Sequence, residues 1–462
     1  MRDKIKRSLA AGMAVLVLAT AAVPVDAAAA GRSDPNMISI PAVTERDLSK
    51  AVERVAEGVF AHQEEIDLTD LGLDQEESFD VIKLMTAKYP EIFFLDRKVP
   101  ASLVLRKGKL LKVRPKYLYS KEETDKKLAE FYAEADRYLS LVSGNMTALE
   151  KALVLHDAII DDSEYVIDDK NNSDYGLLVE KLGVCENYAR VYGYLLGKLG
   201  IRSEIVDSDK MDHEWIKINI GGAYYHVDIT WDDPLPGFAG RVDHKFFLLS
   251  DDKISDSSYY DPHEDFKCIN DSWSKTYDGG VMQTILSKCC AVDGRVYCIY
   301  GTPGNYNFGT LSFREGYDTA ALSFSPITSL YGKYWHSGDK VWDANCSGLL
   351  EYKGRLIYNV SDEIFSYDPK TGKTESVFKL AGGGDEIYGI KIRDDKVYGM
   401  MARRPVDKGE EKELCSLKKK PFAGFKKQIV KLSKKRFTFK FKFRKNSLAD
   451  SLVKAFSQKK KK

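Results

Sequence analysis

The spacing of apolar side chains changes along the chain, and each change marks a different kind of structure. From residue 42 to about 140, the apolar positions of VTERDLSKAVERVAEGVFAH and SFDVIKLMTAKYP recur every three or four residues. That spacing predicts amphipathic helices, the second stopped at Pro90. LVLRKGKLLKVRPKYLY alternates instead and predicts a β-hairpin turning at Lys107 and Gly108. Helix returns over 121–162, where Thr147 in TALE opens a capping box ahead of KALVLHDAII. From about residue 280 the period shortens to that of strands. VDGRVYCIYG, YKGRLIYNV and IRDDKVYGMM each set a turn signal before a tyrosine-bearing strand, and EIFSYDPKTGKTESVF adds a hairpin of the same style. These weak repeats predict blades of a propeller-like or sandwich module whose blade number stays open.

Between those regions the pattern brings chemistry with it. After GVC at 183–185, apolar side chains recur at Val184, Tyr188, Tyr192, Leu195, Leu196 and Leu199 before Gly200, a helix of about fifteen residues ended by glycine. Cys185 falls in its first turn, where unpaired backbone N–H groups and the helix dipole favour a thiolate. Position alone suits a small buried hydrophobe equally well. The strand IRSEIV follows, and then MDHEWIKINI and AYYHVDITWDD flank Gly221 and Gly222, a hairpin with a two-residue turn. In that register Trp215 faces Asp228 and His213 faces Thr230, so His213, Trp215, His226 and Asp228 share one face. His213 and Asp228 are diagonal neighbours within side-chain reach. His226 stands in the same strand as Asp228, about 7 Å along it, with parallel side chains, which makes His213 the better base.

A cysteine at a helix start with a histidine and an aspartate on adjacent strands is the arrangement of a Cys-His-Asp catalytic group. Cys185 would be the nucleophile, His213 the base and Asp228 the acid that orients the imidazole. His213 and His226 lack the close helical spacing of zinc-site pairs, and no DxDxDG-type calcium loop is present, so neither metal nor cofactor is expected.

Composition places this chemistry in a compartment. The chain has 462 residues, 44% hydrophobic and 30% charged, which fits a soluble protein of two to four domains. MRDKIKR, the apolar run Leu9 to Val23 and VDAAAAG form a signal peptide over residues 1–30, with cleavage expected between Ala27 and Gly31. A retained N-terminal anchor is the alternative. The mature protein is thus expected to be secreted or at the cell surface. Export changes the reading of the seven cysteines, because exported thiols tend to pair. Six lie in the C-terminal half (Cys268, Cys289, Cys290, Cys298, Cys346 and Cys415) and could form three disulfides, leaving Cys185 as the reactive thiol. Eighteen lysines and arginines against Asp450 alone give the tail 418–462 a formal charge of +17. Since the whole chain carries +1, the remainder carries −16. Such a tail suits an anionic wall polymer or membrane surface, or is simply solvated. Export removes the obvious nucleic-acid partner. The expected organisation is a signal peptide (1–30), a helical N-terminal domain with a hairpin (42–140), a catalytic domain (141–265), a β-rich repeat region (280–410) and the basic tail.

GVCENYARVYGYLLGKLGIRSEIV followed by HEWIKINIGGAYYHVDITWDDP resembles the core of the transglutaminase-like superfamily, whose members carry a G-V-C helix, an H-x-W strand and a D-x-T-W strand in this order. EKALVLHDAIIDDSEYV upstream and KFFLLSDDKI downstream are similar to secreted bacterial members, so the likeness covers about residues 145–255. It implies an α+β, papain-like fold with the cysteine helix packed on an antiparallel sheet, and the roles already given to Cys185, His213 and Asp228. The implied activity is acyl transfer on the amides of a protein or peptide substrate: peptide hydrolysis, deamidation or transamidation. A non-catalytic wall- or surface-binding protein on the same scaffold is the alternative.

Overall fold

The computed structural model describes residues 38–39, 46–96, 98–167, 172–233, 242–255, 268, 276–302, 305–314, 321–330, 335–337, 340–342, 347–382, 384–403 and 409–418. The expected signal peptide, the basic tail beyond residue 418 and Cys346 lie outside the described residues.

The N-terminal region gives β1 (Ile38–Ser39), α1 (Ser49–Phe60), β2 (Ile66–Asp67), α2 (Gln75–Lys88), the hairpin β3 (Ala101–Arg106) and β4 (Lys109–Pro115), then α3 (Lys121–Leu139) and α4 (Ala148–Asp162). Helix starts follow directly from sequence. Asp74, Ser120 and Thr147 each accept the N–H three residues on, while Glu77, Glu123 and Glu150 return to the cap's own N–H.

The central region holds β5 (Glu164–Tyr165), β6 (Leu182–Gly183), α5 (Cys185–Lys198), β7 (Ser203–Ser208), β8 (His213–Ile220), β9 (Ala223–Val227), β10 (Phe247–Leu249) and α6 (Asp251–Ser255). Its sheet runs β1-β7-β8-β9-β10, antiparallel apart from the short parallel β1–β7 pair. Helix α5 lies directly on it, burying Tyr188, Tyr192, Leu195 and Leu196 completely. Gly193 permits that approach, since a Cβ there would stand 3.0 Å from Ile216 Cδ1 and 3.2 Å from Ser203 Oγ.

The C-terminal region is a series of antiparallel sheets: β11 (Cys290–Val292), β12 (Arg295–Thr302), β13 (Asn305–Arg314) and β14 (Ala321–Ser329); the pair β15 (Trp335–Ser337) and β16 (Lys340–Trp342); β17 (Leu349–Tyr352), β18 (Arg355–Asn359), β19 (Glu363–Asp368) and β20 (Lys373–Lys379); and β21 (Glu386–Arg393), β22 (Lys396–Ala402) and β23 (Glu410–Ser416). The turn signals of the repeats are two-residue turns with positive φ at both positions: Asp293-Gly294 (50° and 73°), Lys353-Gly354 (49° and 77°) and Asp394-Asp395 (50° and 60°). This geometry matches the right-handed twist of the flanking strands. The protein is therefore mixed α+β with several antiparallel sheets, and no closed barrel forms among the described residues.

One hydrophobic cluster runs from Leu48 through α5 to Phe313, so the cysteine helix shares its core with both neighbouring regions. Polar contacts fix the same junction. Glu150 accepts the Phe313 N–H (3.3 Å), Asp157 accepts the Cys289 N–H (2.6 Å), and Lys288 pairs with Asp161 (2.8 Å).

The expected disulfides are not present among the described residues: Cys185, Cys268, Cys289, Cys290, Cys298 and Cys415 are all free thiols. Folding distributes them to different places. Cys268 adjoins Asp251, Cys290 donates to the Leu349 carbonyl (3.3 Å), and Cys415 lies on the last strand. Among the described residues, Cys289 and Cys298 are the pair that approach one another, across the β11–β12 hairpin, and burial pushes the Cys289 thiol well up.

Candidate active site

The local structure that presents Cys185 begins at Gly183. A Cβ there would meet Leu177 at 3.0–3.1 Å and Asn187 Cβ at 3.2 Å, so a side chain would push the helix start away. Val184 is extended (φ −118°, ψ 178°), and its N–H donates to Asn187 Oδ1 at 3.1 Å. Asn187 Nδ2 in turn donates to Asp174 Oδ1 at 2.9 Å. Cys185 is thereby fixed as the first residue of α5, half-buried, at the helix end where the first N–H groups have no preceding turn to accept them; the ladder begins with the Asn187 and Tyr188 N–H groups on the Val184 carbonyl, at 2.9 and 3.1 Å. Arg190 ties this turn to β8, pairing with Glu186 (2.5 Å) and with both oxygens of Glu214 (3.1 and 3.3 Å), the residue after His213.

The β8–β9 hairpin has the register expected from its Gly-Gly turn: Ile216 pairs with Val227 and Ile220 with Ala223. The chain leaves the ladder at Asp228, whose N–H donates to the Phe246 carbonyl at 3.0 Å. The diagonal relation then closes into contact, with His213 Nε2 lying 2.6 Å from Asp228 Oδ2 while Asp228 Oδ1 accepts the Trp231 N–H at 3.1 Å. The His213 and Asp228 side chains are only 9% and 7% exposed. Burial acts against a charged imidazole here, but the Asp228 carboxylate and its hydrogen bond outweigh burial, with a further contribution from Cys185, and the His213 pKa rises to about 10.

Nε2 is engaged by Asp228, so Nδ1 is the ring nitrogen left to exchange a proton with the Cys185 thiol, whose proximity contributes to the raised His213 pKa. The Trp231 indole N–H also reaches Nε2, at 2.7 Å. One nitrogen cannot donate to Asp228 and accept from Trp231 at once; the charged carboxylate is the stronger partner and takes the proton.

His226, on the same face, is engaged elsewhere. Its Nδ1 accepts from Trp215 Nε1 at 3.0 Å, and its Nε2 donates to Asp251 Oδ1 at 2.8 Å. Burial dominates and lowers its pKa despite Asp251. His226, Asp251 and Cys268 lie close together, but with the Trp215 N–H on Nδ1 the ring carries its proton on Nε2, which leaves no lone pair there for a metal. A second buried group gathers His156, Asp157 and His244. Asp157 accepts from His156 Nδ1 (2.7 Å), His244 Nε2 (2.9 Å) and the Cys289 N–H (2.6 Å), so its carboxylate is satisfied by protein donors. Burial opposes its charge, yet His244 and His156 hold Asp157 well below the usual carboxylate range.

Tyr165 is the residue at this site that sequence reasoning does not reach. It pairs with Gly183 in the two-residue parallel ladder of β5 and β6, which sets it beside the start of the cysteine helix, close enough for Cys185 to help raise its pKa. The tyrosine in SEYV, twenty residues before the cysteine, carries no periodic signal that would announce this.

No protein-family model matches the chain, and no curated protein does. Among solved structures, a provisionally named cysteine protease from Cytophaga hutchinsonii is similar at 15% identity and a TM-score of 0.19, over 30% of this chain and 63% of that one. The extracellular domain of a provisionally named hybrid two-component system from B. thetaiotaomicron is similar at 12% identity and a TM-score of 0.20, over 45% of this chain and 23% of that one. The chain thus spans less than two thirds of either structure it resembles.

Proposed function

We propose that the protein is an exported cysteine-dependent acyl-transfer enzyme of transglutaminase-like type, acting on amides of a protein or peptide through Cys185, His213 and Asp228 in a papain-like core. The observation that carries this reading is the placement of His213 between a helix-terminal thiol and a buried carboxylate, with Nε2 2.6 Å from Asp228. An imidazole held charged to about pH 10 can keep the thiol proton and later hand it on. In the reaction, the Cys185 sulfur adds to the amide carbonyl. The oxyanion is met by N–H groups of the first turn of α5, and His213 protonates the departing amine or ammonia. Asp228 keeps the Nε2 proton in place throughout, so Nδ1 is the nitrogen that exchanges protons with the reacting atoms. The thioester then passes its acyl group to water or to an amine. The +17 tail would hold the enzyme on an anionic wall polymer or membrane surface without entering the chemistry.

The test is covalent labelling of Cys185 by a thiol-directed peptide amide probe, with Cys185→Ala and His213→Ala as comparisons. Labelling is expected in the native protein and lost in both variants. A Cys185 that stays unlabelled in folded protein would favour the non-catalytic surface-binding reading. Truncation after residue 417 should weaken low-salt binding to anionic vesicles while leaving labelling unchanged.

A further inference from the structure

We propose that Tyr165 supplies the side-chain donor of the oxyanion site, its hydroxyl donating to the oxygen that gains charge when Cys185 attacks a carbonyl. The inference rests on the acyl-transfer reading and assigns one residue within it.

The placement comes from the backbone. Strand β5 is only two residues long, and its parallel pairing sets Tyr165 opposite Gly183, two residues before the nucleophile. The ladder continues on both sides, with the Glu164 N–H bonded to the Lys181 carbonyl at 2.8 Å and the Val166 N–H to the Gly183 carbonyl at 3.0 Å. The ring of Tyr165 lies 6.4 Å, centroid to centroid, from that of Tyr188. Tyr188 is itself buried and anchored through its hydroxyl to Asp233 Oδ2 at 2.8 Å. Tyr165 is thus braced by the strand ladder and by the cysteine helix. It is only half-buried, so a substrate carbonyl can reach the space beside the thiol.

The electrostatics keep its hydroxyl a donor. Burial comes first, then the negative charge of Cys185, Asp212 and Asp228, and together they push the phenol up to about 12. The proton therefore stays on oxygen across the working range. At rest the hydroxyl has beside it the sulfur of Cys185, over which charge is spread diffusely; in the tetrahedral state a full alkoxide offers a harder, stronger acceptor nearby. That difference between ground and transition states is what makes a donor catalytic.

The electrons balance without an added reagent. The sulfur lone pair forms the C–S bond, and the carbonyl π pair moves onto oxygen. Tyr165 O–H and the Cys185 N–H then donate to that oxygen without releasing their protons. On collapse the pair returns to carbon, the C–N bond breaks, and the amine leaves with the proton carried by His213.

Two reagents separate this role from a structural one. p-Nitrophenyl acetate acylates a thiol through a tetrahedral oxyanion, whereas iodoacetamide alkylates it by direct displacement and forms none. Both rates at Cys185 are measured on the full chain for the native protein, Tyr165→Phe and Tyr165→His, with Cys185→Ala as background. Tyr165→Phe should lower acylation by about 10²-fold, the usual effect of losing one oxyanion donor. Its alkylation rate should fall far less than its acylation rate, with the pH profile of alkylation keeping its shape, which also reports that the site is folded. Tyr165→His, which keeps a donor, should recover part of the acylation. Equal acylation in native protein and Tyr165→Phe overturns the inference, as does a parallel loss of both rates, which would make Tyr165 a residue that positions the thiol. A native Cys185 that neither reagent modifies overturns the acyl-transfer reading itself.

Discussion

His213 and His226 stand on adjoining strands of one hairpin, on the same face of the sheet, and each meets a carboxylate: Asp228 at 2.6 Å and Asp251 at 2.8 Å. Their states are nevertheless opposite. His213 is raised to about 10 because the attraction of Asp228 outweighs burial, while burial of His226 outweighs Asp251 and lowers its pKa. The difference lies in what reaches each ring from outside the sheet. Helix α5 brings a thiol beside His213, whereas the indole of Trp215 donates to Nδ1 of His226 and obliges it to stay a lone pair. A strand's period sets the face on which a histidine lies. The third group decides whether the ring moves protons or holds the fold together.

The sharpest way to break this comparison is to neutralise one carboxylate. Asp228→Asn keeps shape but removes the charge that holds the Nε2 proton, and should reduce thiol-dependent amide turnover by about 10³–10⁴-fold, as expected when the base loses its tautomer. Steady-state kinetics on variant protein with unchanged circular dichroism would check it. A loss of less than tenfold would remove Asp228 from the catalytic group.

Next in size is removal of the second ring. His226→Ala removes the acceptor of the buried Trp215 indole N–H and one partner of the partly exposed Asp251, and it empties a site where the His226 side chain is only 1% exposed. Unpaired buried partners and a cavity cost about 2–4 kcal/mol, read as a lower urea midpoint. Turnover per folded molecule should stay within about threefold. A stable but inactive His226→Ala variant would exchange the roles of the two histidines.

Much of this contrast is legible in the sequence. The Gly221-Gly222 pair sets the register, the register puts His213 diagonal to Asp228, and GVC before an apolar helix puts Cys185 at its start; each depends on chain-local rules. Capping boxes at Asp74, Ser120 and Thr147 are local in the same sense. What stays hidden is whatever arrives from a distant segment. Asp251, twenty-five residues from His226, has no pattern linking it to that ring, and Tyr165 comes from a two-residue strand too short to carry a period. Pairing of the C-terminal cysteines is hidden for the same reason. Counting cysteines by compartment says how many could pair, while the fold places Cys268 and Cys415 in separate surroundings and, among the described cysteines, brings Cys289 towards Cys298.

The third prediction uses pH and follows from the two signs. For His213 the folded value lies above the unfolded value of about 6.5, so its stabilisation is fully present below about 6.5 and is lost as pH rises through about 10. His226 is lowered, so its neutral ring favours the fold above about 6.5, and that contribution is lost as pH falls through its folded value. Urea midpoints followed against pH should therefore show native protein losing its advantage over His213→Ala between about pH 6.5 and 10. Its advantage over His226→Ala should instead shrink on the acid side. Two difference curves of the same slope would mean that the rings share one charge state.

The smallest expected effect, Asp251→Asn, is the counterpart of the largest. Asp251 is the acceptor for the His226 Nε2–H, and its second oxygen accepts the Cys268 N–H at 3.0 Å. An asparagine can keep its side-chain oxygen on one of these donors, but it loses the charge that strengthens both bonds. His226 is neutral, so no ion pair is broken, and its tautomer is held from the other side by the Trp215 indole. The cost should then be about 1 kcal/mol, the difference between a charge-assisted and a neutral hydrogen bond, with turnover unchanged. The same change at Asp228 faces a charged ring whose proton position depends on the carboxylate, so one substitution at two similar sites should give a stability effect in one and a catalytic effect in the other. A turnover loss at Asp251 approaching that at Asp228 would show that His226 too exchanges protons during the reaction, and the division of labour between the two strands would have to be abandoned.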